Sequence, residues 1–332
     1  MNMNFSAKTI GFSVIGIFAF FYLIGVYWSL DVDAFDVHQE VTTAATADNV
    51  APVVGYTTTT TLIKVASSIL DKPGGYISND ALPPGVFLDN MPAWEFGVLE
   101  MVRDMALVLR KDFSRSQSQS LENVHIKRAQ PKFNIDNKSW AMPSAESEYR
   151  KAIESLVLYR NALVGISKLK DDNAQFYARA DNLTSYLDEI QKRLGSYSQR
   201  LSASVGKDKI NTDLAGDNLA RQSSHEGSHS QVRTSWWKLD DVFYEARGAS
   251  WALLHFLKAI EIDFDSVLKN KNATISLQQI IRELEASQQT LWSPMVLNGD
   301  GFGVLANHSL VMANYISRAN AALIDLNELL RK

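Results

Sequence analysis

The feature that most constrains the fold of this chain is an uncharged, largely apolar run of 21 residues at positions 10–30. As a helix it would be about 30 Å long, which matches the hydrocarbon thickness of a bilayer. A helix also satisfies its own backbone hydrogen bonds, as lipid requires. Tyr27 and Trp28 at its end suit the membrane interface. The sequence therefore predicts a transmembrane helix at 10–30 that contacts the lipid bilayer.

The residues on either side of this run predict its orientation. Residues 1–9 contain Lys8 and no acid, whereas Asp31 and Asp33 follow the run and the next Lys or Arg is Lys64. The positive-inside rule therefore places residues 1–9 in the cytoplasm and residues 31–332 across the membrane. The alternative is a cleaved signal peptide, but the apolar core is too long and the residues at its end are too bulky for cleavage.

Composition excludes several classes of protein. There is no cysteine in 332 residues, so neither a disulfide framework nor a thiolate metal site is possible. The net charge of −4 lacks the basic footprint that nucleic acid demands, so we expect no nucleic-acid partner. With 46% hydrophobic residues and seven tryptophans, the chain can bury a large core.

Beyond the predicted anchor the chain has the spacing of helices. Residues 31–55 are acidic and then rich in Thr and Ala, which is typical of a tether. From Tyr56 onward apolar residues recur at alternating steps of three and four, which is a heptad pattern. The longest heptad seams lie at residues 149–166, 176–201, 239–267 and 312–330. The sequence therefore predicts an all-α fold, with the transmembrane helix followed by an extracytoplasmic multi-helix bundle of long heptad-patterned helices.

The predicted domain organisation has two parts after the tether. Residues 56–143 form a helical and loop subregion, and residues 144–332 form the helical bundle. The polar residues 170–173 would close an antiparallel hairpin between two of its helices. Residues 206–234, which are polar and carry no seam, are interpreted as a mobile excursion. Two segments, 123–126 and 132–135, could be short strands.

A Pro/Gly-rich loop at residues 73–92 contains several apolar side chains. These are Tyr76, Leu82, Phe87 and Leu88. Apolar side chains in a loop usually pack onto the body of the protein, and only sometimes form an exposed docking surface. The sequence leaves both interpretations open.

Metal-ligand spacing occurs twice, in weak form. Glu122 and His125 have the spacing of one half of a di-iron bundle site, but such a site needs two copies and the chain has one. His225 and His229 are four residues apart among Ser and Gly that favour no helix. We therefore expect no metal site and no cofactor.

The densest mixture of ionisable and aromatic side chains lies near the start of the 239–267 seam. Its members are candidate ligand or interaction residues: Asp240, Asp241, Glu245, Arg247 and His255. Acids at the start of a helix also complement its positive end without any ligand. His255 within an apolar stretch is commonly a buried, hydrogen-bonded histidine.

Three other patterns have ordinary explanations. Glu261, Asp263 and Asp265 could form an acid/base site, but a solvated helix face explains them as well. The residues around Ser250 resemble a nucleophile elbow, yet they lie in a helical seam rather than at a strand-to-helix turn. The glycines of 299–303 match neither a dinucleotide-binding nor a calcium-binding loop, and most simply turn the chain.

Three stretches resemble a family of uncharacterised inner-membrane proteins from Gram-negative, mainly gammaproteobacterial, species. They are NMPAWEFGVLEMVRDMALVLRKDFSRSQSQS at 90–120, SWWKLDDVFYEARGASWALLHFLKAI at 235–260 and ANHSLVMANYISRANAALIDL at 306–326. The resemblance implies a single-pass protein of the bacterial inner membrane, with residues 31–332 in the periplasm. The family is known only as a domain of unknown function, so the resemblance implies no activity and no site residues.

Two functions follow as hypotheses. The first is a membrane-anchored periplasmic helical module for protein–protein interaction or envelope assembly, with an envelope protein partner or a homo-oligomer formed through the long seams. The alternative is a periplasmic enzyme or small-ligand binder that acts on a cell-envelope component. The sequence contains no convergent catalytic set, so the non-enzymatic function is favoured.

Overall fold

The computed structural model describes residues 7–116, 121–167, 174–205, 207–210, 229–290, 296 and 308–332. The α-helices are α1 (Ala7–Trp28), α2 (Val37–Asp48), α3 (Tyr56–Asp71), α4 (Asn90–Val108), α5 (Val124–Phe133), α6 (Ala145–Leu163), α7 (Ala180–Ser202), α8 (Leu239–Asp263), α9 (Asp265–Asn270), α10 (Thr274–Ser287) and α11 (His308–Arg331). A short ribbon pairs β1 (Lys207–Ile210) with β2 (His229–Val232) in antiparallel register. The predicted all-α class is confirmed.

Helix α1 is apolar and long enough to cross a membrane over Gly11–Trp28, near the N-terminus. Only 6% of that window is buried by the rest of the protein. Most side chains of α1 therefore do not contact the rest of the protein, unlike those of a core helix.

Helix α8 is the centre of the body. Residues 246–257 are all buried, and a helix that is buried all round must be packed on every side. Helix α4 runs parallel to it, since Asp89 just before α4 acts on Asp241 in the first turn of α8, and Phe113 just beyond α4 packs on Phe264 just beyond α8 with ring centroids 5.2 Å apart. Helices α3 and α10 also pack directly on α8.

Two glycines let the backbones of α4 and α8 touch. A Cβ atom added to Gly97 would lie 1.9 Å from the carbonyl oxygen of Glu245. A Cβ atom added to Gly248 would lie 2.2 Å from the carbonyl oxygen of Trp94. Real Cβ atoms do not approach carbonyl oxygens so closely, so only glycine fits at either position.

The heptad seams of α7 and α11 pack on each other within the chain. The helices are antiparallel, because Asn327 and Arg331 near the end of α11 bind Asp188 in the first half of α7. The predicted hairpin of α6 with α7 is wrong: α6 packs on α5 and α3, while α7 takes α11 as its main partner. Residues 170–173, which were expected to close that hairpin, lie outside the described residues.

The predicted tether at 31–55 is also wrong. Residues 37–48 form α2, whose N-terminus is capped by the Asp36 carboxylate through the N–H groups of His38 and Gln39. Val37, Val41 and Ala45 recur at helical spacing and are buried against the body. The Thr/Ala composition that is typical of a linker is here an amphipathic helix with small residues on its packed face.

No packing boundary separates the predicted subregions 56–143 and 144–332. Residues from both belong to one core cluster that extends from Leu62 to Leu330. The parallel pair of α4 and α8 joins the two halves directly. The division failed because heptad spacing identifies helices without identifying their partners.

Two further predictions concern possible strands and the excursion at 206–234. The possible strands at 123–126 and 132–135 are wrong, because residues 124–126 and 132–133 belong to α5, where the Asn123 side chain accepts the N–H groups of His125 and Ile126 as an N-cap. The predicted excursion at 206–234 contains β1 and β2. Its residues 206 and 211–228 lie outside the described residues.

A buried ion pair holds the chain where α3 leads into the 73–92 loop. Lys72 Nζ lies 2.6 Å from Glu95 Oε1, with side chains 2% and 0% exposed. The Glu95 carboxylate also accepts the N–H groups of Ile77 and Ser78 at 2.9 and 2.8 Å and the Ser78 hydroxyl. Every acceptor site of this buried carboxylate is therefore used, as burial of a charge requires.

Candidate functional site

The two aspartates of the predicted site lie in the first turn of α8. The Asp240 carboxylate accepts the N–H of Asp241 at 3.1 Å, as acids at a helix start commonly do. Partial burial and then repulsion from Asp240 and Asp89 raise the pKa of Asp241. This proximity places the starts of α8 and of α4, which Asp89 precedes, at the same end of the body.

Glu245, Arg247 and His255 lie on α8 but do not converge. Glu245 points to α7, where it binds the guanidinium of Arg200 through two hydrogen bonds. Arg247 binds Asp31 at 3.0 Å and the carbonyl groups of residues 287–289 on another side of α8. His255 lies two turns further along the helix. The predicted cluster of these five residues is therefore not one site.

Arg247 and His255 both bind the segment 31–36, which we name the strap. Three contacts join the strap to α8: Asp31 to Arg247, the Asp33 carbonyl to the Trp251 indole N–H, and Phe35 to His255. Four extended residues span about 13 Å and eight helical residues about 12 Å, so the two segments run side by side in register. The strap fixes the end of α1 to the central helix.

His255 is held as a neutral imidazole. Its Nε2 accepts the N–H of Phe35 at 3.0 Å, and its Nδ1 lies 2.7 Å from the Trp251 carbonyl oxygen, so the proton is on Nδ1. The ring stacks on Phe35 with centroids 3.9 Å apart. Burial lowers the pKa of His255 from 6.5 to about 4.

The lowered pKa predicts a loss of stability in mild acid. The unfolded chain protonates His255 below pH 6.5 whereas the folded chain resists protonation until about pH 4, so this stability is present above pH 6.5 and lost as the pH falls to 4. Between pH 7 and 5 we expect the wild type to lose about 2 kcal/mol more than His255→Gln. Chemical unfolding of both at the two pH values measures the difference. Equal losses would contradict the assignment.

A groove that the sequence did not reveal lies between α4, α7 and α8. It has a volume of about 500 Å³ and is open to solvent. Its polar lining includes Glu100, Lys192, Arg193, Ser196, Arg200 and Glu245. Glu245 is the one member of the predicted site that takes part.

Ion pairs between helices build this groove. Arg193 binds Asp104 through two hydrogen bonds of 2.8 and 3.1 Å and Glu100 at 2.9 Å. The Tyr197 hydroxyl donates to the other Glu100 oxygen at 2.7 Å. Burial raises the pKa of Asp104 despite its arginine partner, and the bond to Asp104 raises the pKa of Arg193. These carboxylates are therefore held by arginine or tyrosine and are not poised as free bases.

The other sequence candidates are separated by the structure. Glu122 precedes α5 and pairs with Arg110 at 2.9 Å, whereas His125 is buried inside that helix. Asp263 is buried and accepts the N–H and hydroxyl of Thr58 at the start of α3. Its neighbours turn elsewhere, since Glu261 binds Gln278 and Asp265 binds Lys269.

Ser250 is buried in the middle of α8, far from any strand-to-helix turn. His225 and residues 299–303 lie outside the described residues, and of His229 only the backbone, in β2, is described. Within the part of the chain that the structure describes, no group of three or more His, Asp or Glu is placed to hold a metal ion.

Comparison with known proteins adds one match. The family model DUF2333, described as an uncharacterized protein conserved in bacteria, matches residues 2–332. No curated protein and no solved structure matches the chain.

Proposed function

The chain belongs to this uncharacterised bacterial family, and from that premise we propose that it is a membrane-anchored helical module of the inner membrane. Helix α1 spans the bilayer with residues 1–9 in the cytoplasm, and residues 31–332 are periplasmic. The module binds another envelope protein and thereby serves an interaction or assembly at the membrane.

The docked strap is the observation that carries this proposal. A body on a flexible linker samples many orientations and distances from its anchor. Here Asp31 binds the buried Arg247, and Phe35 both donates to and stacks on His255. A body fixed to its anchor presents the same surface at the same height above the bilayer, which favours an assembly role over free diffusion on a tether.

The groove between α4, α7 and α8 is the surface that we assign to the partner. Arg193 and Arg200 are 38% and 41% exposed at the side chain while bound to carboxylates. Charged groups of a polar partner can replace these carboxylates as the ligands of the two arginines. Such exchange contributes more to specificity than to affinity. The buried residues of the α7 and α11 seams pack on each other within the chain, which favours an envelope protein over a second copy of this chain as the partner.

A small polar ligand is the second candidate for the same groove. Its volume of about 500 Å³ falls within the range of small-molecule pockets. A cell-wall fragment with both charges would match the mixed lining of Glu100, Arg193 and Glu245. The groove carboxylates described above are bound to arginine or tyrosine, which supports binding rather than catalysis.

Because the chain has no cysteine, single-cysteine variants test the topology and the groove together. We expect Ser196→Cys to react with a membrane-impermeant maleimide in intact spheroplasts and Asn4→Cys to react only after permeabilisation. A photoreactive maleimide at Ser196→Cys should then capture one reproducible envelope protein. Ser185→Cys, exposed on the same helix α7 but outside the groove, is the matched control.

The outcomes separate the parts of the proposal. Labelling of Asn4→Cys from outside would reverse the topology. Capture that is equal at positions 185 and 196, or that survives Arg193→Glu, would show that the groove is not the partner site. With no capture at either position, stabilisation of the protein by charged cell-wall fragments would favour the small ligand.

A further inference from the structure

The 73–92 loop packs against the outer end of α1. A Cβ atom added to Gly25 would lie 3.6 Å from Pro84 and 3.8 Å from Leu88. The indole of Trp28 lies over Gly74, where an added Cβ atom would come within 2.7 Å of it. The loop therefore covers one face of the last turns of the helix.

This covered face extends into the span itself. Phe21, Ile24, Gly25 and Trp28 are partly or fully buried, whereas most other residues of α1 are exposed. From residue 21 to residue 28 is about 10 Å along a helix. A helix needs about 20 residues to cross a bilayer, and α1 has 22. If α1 spans the bilayer, residues 21–28 therefore lie within it. The loop must reach the depth of the outer leaflet.

The start of α8 lies at the same depth as this loop. The strap leaves α1 at Asp31 and runs beside α8 in the direction from Arg247 to His255. The opposite direction along α8, from Arg247 back to Leu239, therefore leads toward the membrane. Those eight residues cover about 12 Å. Trp236 and Trp237 come just before Leu239. The start of α8 is close to the loop that covers α1, because Asp89 acts on Asp241 and the neighbouring Leu88 packs at Gly25.

Both of these segments carry large exposed apolar side chains. Leu82 and Phe87 in the loop are 76% and 77% exposed, and Trp237 is 84% exposed with Trp236 next to it. Lys238 follows the two tryptophans and is also exposed. Tryptophan with an adjacent lysine is typical of a membrane interface, and large exposed apolar groups in water carry a cost that lipid removes.

We propose that the loop apolar residues Leu82, Val86 and Phe87, together with Trp236 and Trp237, insert into the outer leaflet beside α1. The occupant of this surface is the lipid bilayer, because the surface is continuous with the anchor helix. The body is thus held at the membrane by three points rather than one, which fixes its tilt. This inference rests on the proposed transmembrane role of α1.

Spin labels on single-cysteine variants in lipid nanodiscs test it with the full chain. Val86→Cys reports on the loop and Ser235→Cys on the start of α8, without removing the tryptophans. Phe18→Cys in the middle of α1 is the lipid control, and Ile275→Cys at the far end of the body is the water control. The measurement compares relaxation of each label by oxygen, which partitions into lipid, with relaxation by a water-soluble nickel chelate.

We expect labels at positions 86 and 235 to favour oxygen, as the label at 18 does, while the label at 275 favours nickel. Water-like behaviour at 86 and 235 with lipid-like behaviour at 18 would overturn the insertion and leave the anchor intact. Water-like behaviour at 18 as well would overturn the anchor, and with it the proposed function.

Discussion

Gly248→Ala is expected to destabilise the protein by about 3 kcal/mol, a large value for the addition of one methyl group. The new Cβ atom would lie 2.2 Å from the Trp94 carbonyl oxygen, which belongs to a helix backbone and cannot swing aside. The helices α4 and α8 would have to separate along their contact and loosen the residues packed beside it. Gly97→Ala should act in the same way against the Glu245 carbonyl.

The chain supplies a matched control for these variants. Gly195 lies inside α7 with no atom within 4 Å of an added Cβ, so Gly195→Ala should stabilise the protein by about 0.5–1 kcal/mol through helix propensity alone. Denaturant unfolding of the purified proteins compares the three. Wild-type stability in Gly248→Ala would mean that the two backbones do not touch.

Glu95→Ala is expected to cost about 4 kcal/mol, because it leaves the Lys72 ammonium buried and unpaired. It also removes the acceptor for the N–H groups of Ile77 and Ser78. The Trp28 indole packs over Gly74 within the segment 72–78, so release of this segment would also loosen α1 from the body. Chymotrypsin should then cleave after Tyr76, which is buried in the wild type, in folded protein.

Two further variants distinguish this pair from an ordinary ion pair. Lys72→Met combined with Glu95→Gln removes both charges and keeps an acceptor, so it should cost much less than Glu95→Ala. Lys192→Met breaks an exposed pair with Glu189 and should change stability by less than about 0.5 kcal/mol. Similar losses in Glu95→Ala and Lys192→Met would show that the buried pair is accessible to water.

The helices themselves were predictable from spacing, whereas their partners were not. Leu183, Leu187, Ile190 and Leu194 form the predicted seam of α7 and are buried. Nothing in that spacing says that the seam packs on α11 rather than on α6. Heptad patterns report which face is buried, and several helices of this chain offer equivalent faces.

The burial of His255 was predictable from the sequence, but the groove and its geometry were not. His255 in an apolar stretch suggested a buried, hydrogen-bonded imidazole, and the structure shows one. Its partner Phe35 is 220 positions away in the chain, within a segment whose composition is typical of a linker. The groove arginines are spaced like residues of a solvated face, and only the approach of α4 and α8 turns Arg193 and Arg200 into a lining.

The parallel pairing of α4 with α8 also imposes an order of events on biosynthesis. Gly97 meets Glu245, its contact on α8, only after about 150 more residues have been made, which at 5–20 residues per second takes roughly 8–30 seconds. During that interval the strap, α3 and α4 have no central helix to cover their apolar faces. The strap, α3 and α4 therefore cannot reach their native packing until α8 has been made.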